Sequence, residues 1–189
     1  MAILTYNMHV SLDGYIEDPA GRIDFSVPDE QTHRFSNQQT ESTAALLFGR
    51  RLYDVMEDFW TDPERADGEE VEAEFAELYK ATPRIVFSDT LDAVADGCRL
   101  VRSVDALAEV QRLKRETEGK LAVGGAGLAE SLVEEIDQFE LIVLPTILGG
   151  GKPYFPVGRR LDLVLEEQRL FDVSRWMYLR YSVSRRQSP

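Results

Sequence analysis

Residues 121–132 read Leu-Ala-Val-Gly-Gly-Ala-Gly-Leu-Ala-Glu-Ser-Leu, and this stretch decides the fold. An apolar run typical of a strand enters a glycine-rich turn, and a helical pattern with Leu128, Leu132 and Ile136 on one stripe follows it. Backbone without Cβ atoms lets phosphates approach closely, and free N–H groups at a helix start favour anions. The stretch is neither a complete G-x-G-x-x-G fingerprint nor a Walker A loop. It predicts a strand–turn–helix unit that binds phosphate, or else a tight turn without a ligand.

Strand and helix patterns alternate along the rest of the chain. The spacing predicts strands at 3–12, 44–48, 84–87, 99–101, 120–123 and 140–148, helices that begin near residues 28, 50, 71, 104 and 126, and two final strands at 163–169 and 176–183. Residues 61–70 are acidic and loop-like, and we expect them to be the most mobile segment. Repeated strand–helix–strand units indicate a mostly parallel α/β sheet, and the closing strands add antiparallel edges. We therefore expect a mixed sheet in a single domain over residues 1–189.

The composition limits the possible partners. The 189 residues carry a formal charge of −13, which disfavours nucleic acids and anionic membrane surfaces. No apolar run approaches the roughly 18–20 residues that span a bilayer, and the N-terminus resembles a strand rather than a signal peptide, so we expect a cytoplasmic location. The sequence has one cysteine and two histidines. It therefore lacks the ligands of a zinc deaminase, and we expect neither deamination nor a bound metal.

Two further turns follow apolar strands. After Gly49, a strand delivers Arg50 and Arg51 to the start of a helix. Arginine makes charge-assisted, often bidentate bonds to phosphate, although pairing with nearby carboxylates is the alternative. Ser88 ends another strand, where its hydroxyl can bind ribose or phosphate or simply form a turn. Because open α/β sheets bind ligands beyond the carboxyl ends of their strands, we expect these turns to share one edge with the glycine turn.

Five short motifs occur in an order that resembles a known family. They are Ser11-Leu12-Asp13-Gly14-Tyr15-Ile16, Phe48-Gly49-Arg50-Arg51-Leu52-Tyr53, Phe87-Ser88-Asp89-Thr90-Leu91, Gly124-Gly125-Ala126-Gly127-Leu128 and Leu148-Gly149-Gly150-Gly151-Lys152-Pro153. The series resembles the reductase domain of the bacterial bifunctional deaminase-reductase of riboflavin synthesis, within the dihydrofolate reductase superfamily. The resemblance runs from about residue 3 to 183. It implies a dihydrofolate reductase-like three-layer fold, NADPH as the cofactor and a homodimer.

The resemblance also implies which residues hold the cofactor. They are Ile16, Gly49, Arg50, Arg51, Ser88, Gly124, Gly125, Ala126, Gly127 and Leu128. The arginines and Ser88 belong to the adenosine and phosphate end, the glycine turn to the pyrophosphate, and Ile16 to the nicotinamide. Asp89 stands where family members often carry a basic residue, and a carboxylate there would accept from a ribose 2′-hydroxyl. NADH therefore remains open beside NADPH, which the arginines favour.

The catalytic proton donor is not identified by the sequence, but four side chains are candidates. Folate reductases place an acid on the helix after the mobile loop, where this chain has Asp29 and Glu30, which also suit a helix N-terminus. Asp13 lies near the expected substrate entrance or caps a turn. His9 lies on the polar face of the first strand, where it can donate a proton near neutral pH or serve only as a hydrogen-bonding residue.

These observations together indicate an enzyme. We expect an NAD(P)H-dependent reductase that transfers a hydride to a small heterocyclic or carbonyl substrate, such as a pterin or a riboflavin precursor. The alternative is a non-catalytic nucleotide-binding or assembly protein that retains the fold. The two differ in whether bound NADPH is oxidised.

Overall fold

The computed structural model describes residues 1–63 and 68–184, in which strands and helices alternate. The first part contains β1 (Ile3–Ser11), β2 (Tyr15–Glu17), α1 (Glu30–Glu41), β3 (Thr43–Gly49), α2 (Arg50–Trp60) and α3 (Glu70–Ala81). The second part contains β4 (Arg84–Phe87), β5 (Cys98–Val101), α4 (Ala106–Glu116), β6 (Lys120–Gly124), α5 (Ala126–Ser131), β7 (Gln138–Leu144), β8 (Lys152–Pro153), β9 (Leu163–Leu170) and β10 (Met177–Val183). The expected mobile segment at 61–70 falls partly on residues 64–67, which lie outside the described residues.

Eight strands form the central sheet in the order β5-β4-β3-β6-β1-β7-β10-β9. Every neighbouring pair from β5 to β7 is parallel, whereas β10 runs antiparallel to both β7 and β9. Tyr6 of β1 pairs with Val123 on one side and Phe139 on the other, so β1 lies in the interior of the sheet. The prediction of a mixed, mostly parallel sheet with antiparallel C-terminal strands is confirmed.

Helices cover both faces of this sheet because successive side chains of a strand point to opposite sides. On one face, Leu47 packs in a cluster with Val110 of α4. On the other face, Leu46 and Phe48 pack in a cluster with Tyr79 of α3. The result is three layers. None of the helices in the described ranges is long and apolar enough to cross a membrane.

Helix α1 departs from this pattern because the side it turns towards the sheet is polar. Its sequence is Glu-Gln-Thr-His-Arg-Phe-Ser-Asn-Gln-Gln-Thr-Glu, and Phe35 is its one large apolar residue. His33, Ser36 and Thr40 lie one helical turn apart, and all three line a cleft beside the sheet. A helix that covers a sheet ordinarily buries an apolar stripe. The polar stripe of α1 therefore borders a site rather than a packed core.

Two predicted boundaries differ from the structure by four residues or more. β7 ends at Leu144 and not at residue 148, because Pro145 has no N–H to continue the ladder. Helix α5 ends at Ser131, although the sequence pattern continues to Ile136. A turn after Ser131 lets Val133 enter the core beside Ile136.

Candidate functional site

A cleft of about 1080 Å³ opens where β3 and β6 end and continues between α1 and the sheet. This volume lies at the upper limit of the roughly 300–1,000 Å³ of ordinary small-molecule sites. We call one part the glycine end, formed by Gly49, Arg50, Arg51 and residues 124–128. We call the other part the α1 end, formed by the cleft-lining residues of α1 with those of the second half of α2 and of α3.

The three glycines of the 124–127 turn occupy their positions for different physical reasons. A Cβ atom at Gly124 would lie 2.5 Å from Cδ2 of Leu52 and 3.1 Å from two ring carbons of Phe48, so a larger residue would displace these side chains. Gly125 has a φ of +92°, in the left-handed region that favours glycine. A Cβ atom at Gly127 would meet nothing within 4 Å, and its φ is ordinary for a helix. Neither packing nor backbone conformation therefore requires a glycine at position 127, and Gly127 leaves open space at the cleft.

The two predicted arginines stand at the same edge of the cleft. Arg50 donates from its guanidinium to the Thr90 hydroxyl at 2.8 Å and lies 3.5 Å from the Asp54 carboxylate. Arg51 lies 3.6 Å from the Glu17 carboxylate. Their side chains are 52% and 79% exposed, and ion pairs this exposed are weak. Both guanidinium groups are thus accessible to an anionic ligand.

Ser88 and Asp89 shape the turn after β4. The Ser88 hydroxyl accepts from the backbone N–H groups of Thr90 and Leu91, each at 3.2 Å, and the residue is buried. The Asp89 carboxylate accepts from the backbone N–H of Ser103 at 2.9 Å. Ser88 is not among the residues that line the cleft. The structure therefore gives both side chains a role in local folding.

Ile16 and Asp13 flank the turn that follows β1. Ile16 lies on β2 and forms part of the cleft wall. The Asp13 carboxylate accepts from the Ser11 hydroxyl at 2.7 Å and from the backbone N–H groups of Leu148 and Gly149, at 3.1 and 2.7 Å. These hydrogen bonds, the one from Ser11 first, hold the Asp13 pKa below its usual range. Asp13 joins two loops and does not line the cleft.

Asp29 and Glu30 both reach the cleft at the start of α1. Asp29 is the N-cap, and its Oδ1 accepts from the Thr32 N–H at 2.8 Å, whereas its Oδ2 is buried and has no hydrogen-bond partner among the described residues. Burial raises the Asp29 pKa, but nearby donors of Thr32 and Ser174 outweigh it and lower the pKa overall. Glu30 is exposed and pairs with Arg34 at 2.9 Å. Asp29 is therefore an ionised hydrogen-bond acceptor at the α1 end.

His9 lines the cleft on β1. Its Nδ1 donates to the Ser26 carbonyl at 3.2 Å, since a carbonyl can only accept, and its ring lies edge-on to Trp176. Part of the ring remains accessible, but dense surroundings disfavour the charged form and lower its pKa to about 4. His9 is therefore neutral near pH 7, and its Nδ1 proton is bound to the Ser26 carbonyl instead of being available to a substrate.

A second histidine, which the sequence did not single out, belongs to an aromatic wall at the α1 end. Nδ1 of His33 lies 3.1 Å from the Asn37 amide oxygen, and its ring centroid lies 5.8 Å from those of Trp60 and Phe75. The Trp60 and Phe75 centroids are 4.4 Å apart, and Phe59 lies 4.7 Å from Trp60. All four rings line the cleft. The sequence feature that could have indicated His33 as a cleft residue is its spacing from Asp29, which lies one helical turn before it.

The order of the eight strands and the three layers define a dihydrofolate reductase-like fold. The RibD C-terminal domain family matches residues 2–175, and the chain belongs to that family. The chain is also 30% identical over 171 residues to the uncharacterized protein YyaP of Bacillus subtilis (strain 168), with 87% of each chain covered. The resemblance drawn from the five sequence motifs is thus confirmed.

Solved structures share the fold at lower identity. A putative riboflavin biosynthesis protein from Shewanella sp. PV-4 superposes with a TM-score of 0.71 at 24% identity, covering 98% of this chain and 100% of that one. Dihydrofolate reductase from Enterococcus faecalis, complexed with NADP(H) and RAB-propyl, gives 0.64 at 15%, covering 96% of both. A deaminase/reductase from Thermotoga maritima gives 0.65 at 14%, covering 96% of this chain and 56% of that one. At these identities the likeness establishes the fold.

Proposed function

We propose that this protein is an NADPH-dependent reductase that transfers a hydride to a small heterocyclic or carbonyl substrate, without deaminase activity. One observation carries the proposal, which is the open space at Gly127 in the cleft that the exposed Arg50 and Arg51 also line. A glycine within a helix is about 1 kcal/mol less favourable than alanine, so a ligand is the simplest reason to keep that space free. Membership of a reductase domain family supports the same function.

The residues of the glycine end fit a nicotinamide dinucleotide. Arg50, Arg51 and Lys152 line the cleft and supply positive charge for phosphates. Ile16 offers an apolar wall for a ring. The cofactor, when bound, supplies the hydride, while the chain binds and orients it and excludes water. The dipole of α5 is not part of the support for cofactor binding, because this helix has only 6 residues.

Two contacts favour NADPH over NADH. Asp89 does not line the cleft, and its Oδ1 accepts from the Ser103 N–H at 2.9 Å, which holds the carboxylate against that loop. Arg50 lies beside Thr90 with half of its side chain exposed, where it can pair with a 2′-phosphate. We therefore propose that the adenosine side of the cofactor carries the extra phosphate.

Calorimetric titration with NADPH and NADH tests the proposal. We expect NADPH to bind at least about tenfold more tightly than NADH, which corresponds to one charge-assisted hydrogen bond. If neither dinucleotide binds below about 1 mM, the proposal fails. Binding without oxidation across a panel of pterins, flavin precursors, quinones and imines would instead favour the non-catalytic alternative.

We also propose that the protein is a homodimer, as the family resemblance implies. The outermost strand β9 exposes Val164, Leu165 and Leu170, and an uncovered edge strand with apolar side chains is a site of association. Sedimentation equilibrium should give twice the chain mass of 21.4 kDa. A mass equal to that of one chain across the working concentration range would contradict the dimer.

A further inference from the structure

His33 belongs to the wall of the cleft, and one nitrogen of its ring is open to that cleft. The residue is only 8% exposed, and its ring packs edge-on to Trp60 and Phe75. Nε2 has no hydrogen-bond partner among the described residues, yet it is not one of the unpartnered polar atoms that are sealed from solvent in that part of the chain. Because His33 lines the cleft, the ring presents Nε2 to it.

Asn37 determines which nitrogen of His33 carries the proton. The Asn37 amide nitrogen donates to the Val71 carbonyl at 3.0 Å and to the Glu74 carboxylate at 2.7 Å. Since a carbonyl and a carboxylate accept, the nitrogen and oxygen of this amide cannot be exchanged. The amide oxygen lies 3.1 Å from Nδ1 of His33, so Nδ1 must donate. Neutral His33 therefore keeps its proton on Nδ1 and leaves Nε2 as a bare acceptor.

Glu74, Asn37 and His33 form a chain of hydrogen bonds, which we call the histidine relay, from the surface to the cleft. Glu74 comes from α3, and the other two residues come from α1. A carboxylate behind an imidazole fixes its tautomer and orientation and stabilises the imidazolium. Here an amide that is 2% exposed lies between the two groups and keeps the same direction of donation. The relay thus prepares His33 to exchange a proton through Nε2.

Other acidic groups of the cleft are poor proton donors. Reduction of a neutral C=O or C=N bond needs a proton as well as a hydride. Asp29 has a lowered pKa, and its Oδ2 is sealed from solvent. The Nδ1 proton of neutral His9 is bound to the Ser26 carbonyl. The Glu17 carboxylate lies 3.6 Å from Arg51. None of these three groups holds a proton that faces a substrate near pH 7.

Lys120 also lines the cleft but lies away from the glycine end. It begins β6, about 13 Å along the strand from the glycine turn, and it lies 3.6 Å from the fully buried Glu140 carboxylate. His33 instead lies opposite His9 of β1. Burial lowers the pKa of His9 most, and a charge on His33 adds to this lowering, so the two rings are close. Of these groups, only His33 combines an open nitrogen with a fixed proton on the other.

We propose, on the basis of the hydride transfer proposed above, that His33 is the catalytic acid and that Asn37 and Glu74 are positioning residues that act through it. The carbon of the substrate's C=O or C=N group accepts the hydride, the cofactor is oxidised, and the π electron pair moves to the heteroatom. The Nε2–H bond of the imidazolium breaks as the O–H or N–H bond of the product forms. The ring becomes neutral with its Nδ1 proton still on the Asn37 oxygen, and water returns a proton to Nε2.

Nitrogen NMR tests the relay without turnover. The chain has two histidines, so isotope-labelled wild type and His9→Gln together assign both rings. We expect the neutral His33 ring to carry its proton on Nδ1. Asn37→Leu should let the proton move to Nε2, because the fixed acceptor is gone. A neutral His33 ring with its proton on Nε2 in the wild type would overturn the proposal.

Turnover tests the proton transfer itself. NADPH oxidation is followed with the neutral pterin, flavin precursor or quinone that the wild type reduces fastest. We expect kcat/KM to fall about 100-fold or more in His33→Gln, as for loss of a general acid. The cation 2-methyl-3,4-dihydroisoquinolinium needs no proton, so its kcat/KM should fall by no more than about threefold. Equal losses for both substrates, or no neutral substrate reduced by the wild type, would overturn the acid role.

The pH dependence separates acid catalysis from a purely structural role. Because the imidazolium supplies the proton, kcat/KM for the neutral substrate should fall as the pH rises, with the same midpoint as the titration of His33 seen by NMR. The ionisable groups at this end of the cleft and in the relay are His9, Asp29, Glu30, Glu69, Glu72 and Glu74. Any shift that they cause appears in both measurements. Two different midpoints would contradict the proposal.

Variants of the relay have a matched control on α3. Asn37→Leu should lower kcat/KM about tenfold by releasing the ring from its orientation. Glu74→Gln should move both midpoints to lower pH together, since it removes a charge that favours the imidazolium. Glu77→Gln should move neither, because Glu77 is exposed, pairs with Lys80 and does not line the cleft. Circular dichroism checks that each variant is folded.

The two proposals fail in different ways. If NADPH does not bind, the reductase proposal fails and the acid role fails with it. If NADPH binds and the neutral substrate is reduced equally well by wild type and His33→Gln, the reductase remains and the proposal for His33 fails.

Discussion

The two ends of the cleft are built in different ways. The glycine end consists of short contiguous segments, the turn at 124–128 and the Gly49–Arg51 strand end, each of which carries its own geometry. The α1 end gathers Asp29 and His33 from one helix with aromatic rings from two others. Short local segments can thus place exposed backbone and basic side chains at one end of a cleft, whereas the aromatic and acidic side chains of the other end meet only through packing.

The greatest change in ligand binding is expected for a substitution of Arg50 at the glycine end. Arg50→Gln should weaken NADPH binding about 10- to 100-fold and NADH binding much less, because a hydrogen bond to a charged group contributes roughly 1.5–3 kcal/mol. Calorimetric titration measures both. Arg159→Gln is the control, since Arg159 is half-exposed, pairs with Glu134 and does not line the cleft. Equal losses for NADPH and NADH would show that Arg50 does not read the 2′-phosphate.

The next effect concerns the charge state of His9, which lines the cleft on β1. Its pKa is about 4 in the folded protein and 6.5 ordinarily, so the unfolded chain binds more protons between these values. Stability due to neutral His9 is therefore complete above pH 6.5 and is lost as the pH falls towards 4. His9→Gln should remove up to roughly 2 kcal/mol of this acid sensitivity, allowing for the ring's partial accessibility. Urea unfolding at several pH values measures it, and identical pH dependence in both proteins would contradict a neutral, buried imidazole.

The space at Gly127 gives a third prediction, in which binding and stability move in opposite directions. Gly127→Ala should weaken NADPH binding about tenfold by filling the cleft, yet leave the free energy of unfolding unchanged or raise it by up to about 1 kcal/mol. Ser131→Ala, in the same helix but outside the cleft, should leave NADPH binding unchanged. An alanine variant with wild-type affinity would remove the main support for the glycine end as a phosphate site.

The smallest effect is expected at Asp89. Asp89→Asn keeps an acceptor for the Ser103 N–H, so stability should change by a few tenths of a kcal/mol at most. The preference for NADPH over NADH should shift by less than about fivefold, the size of a weak surface charge effect. A tenfold or larger shift towards NADPH would show that this carboxylate faces the ribose after all.

Much of the fold could be predicted from local sequence patterns. The alternation of β1, the apolar run of β3 and the strand–turn–helix at residue 124 predicted the mixed sheet correctly. The ends of β7 and α5 were placed too late, because apolar periodicity does not reveal where a chain must turn to enter the next strand. Ile16, Gly49 and the two arginines line the cleft as their motifs suggested, but Ser88 does not.

Local sequence patterns were enough to predict the layers, the family and the glycine turn, because strand periodicity and backbone turns depend on neighbouring residues. Tertiary structure alone decided that Asp13 joins two loops, that Asp89 caps the Ser103 turn, and that His33 meets Trp60 and Phe75. These contacts join residues far apart in the chain, and a side chain's charge and partners follow from what packs around it. Burial and hydrogen bonding, which no local pattern encodes, made Asp29 an ionised acceptor and His9 a neutral ring.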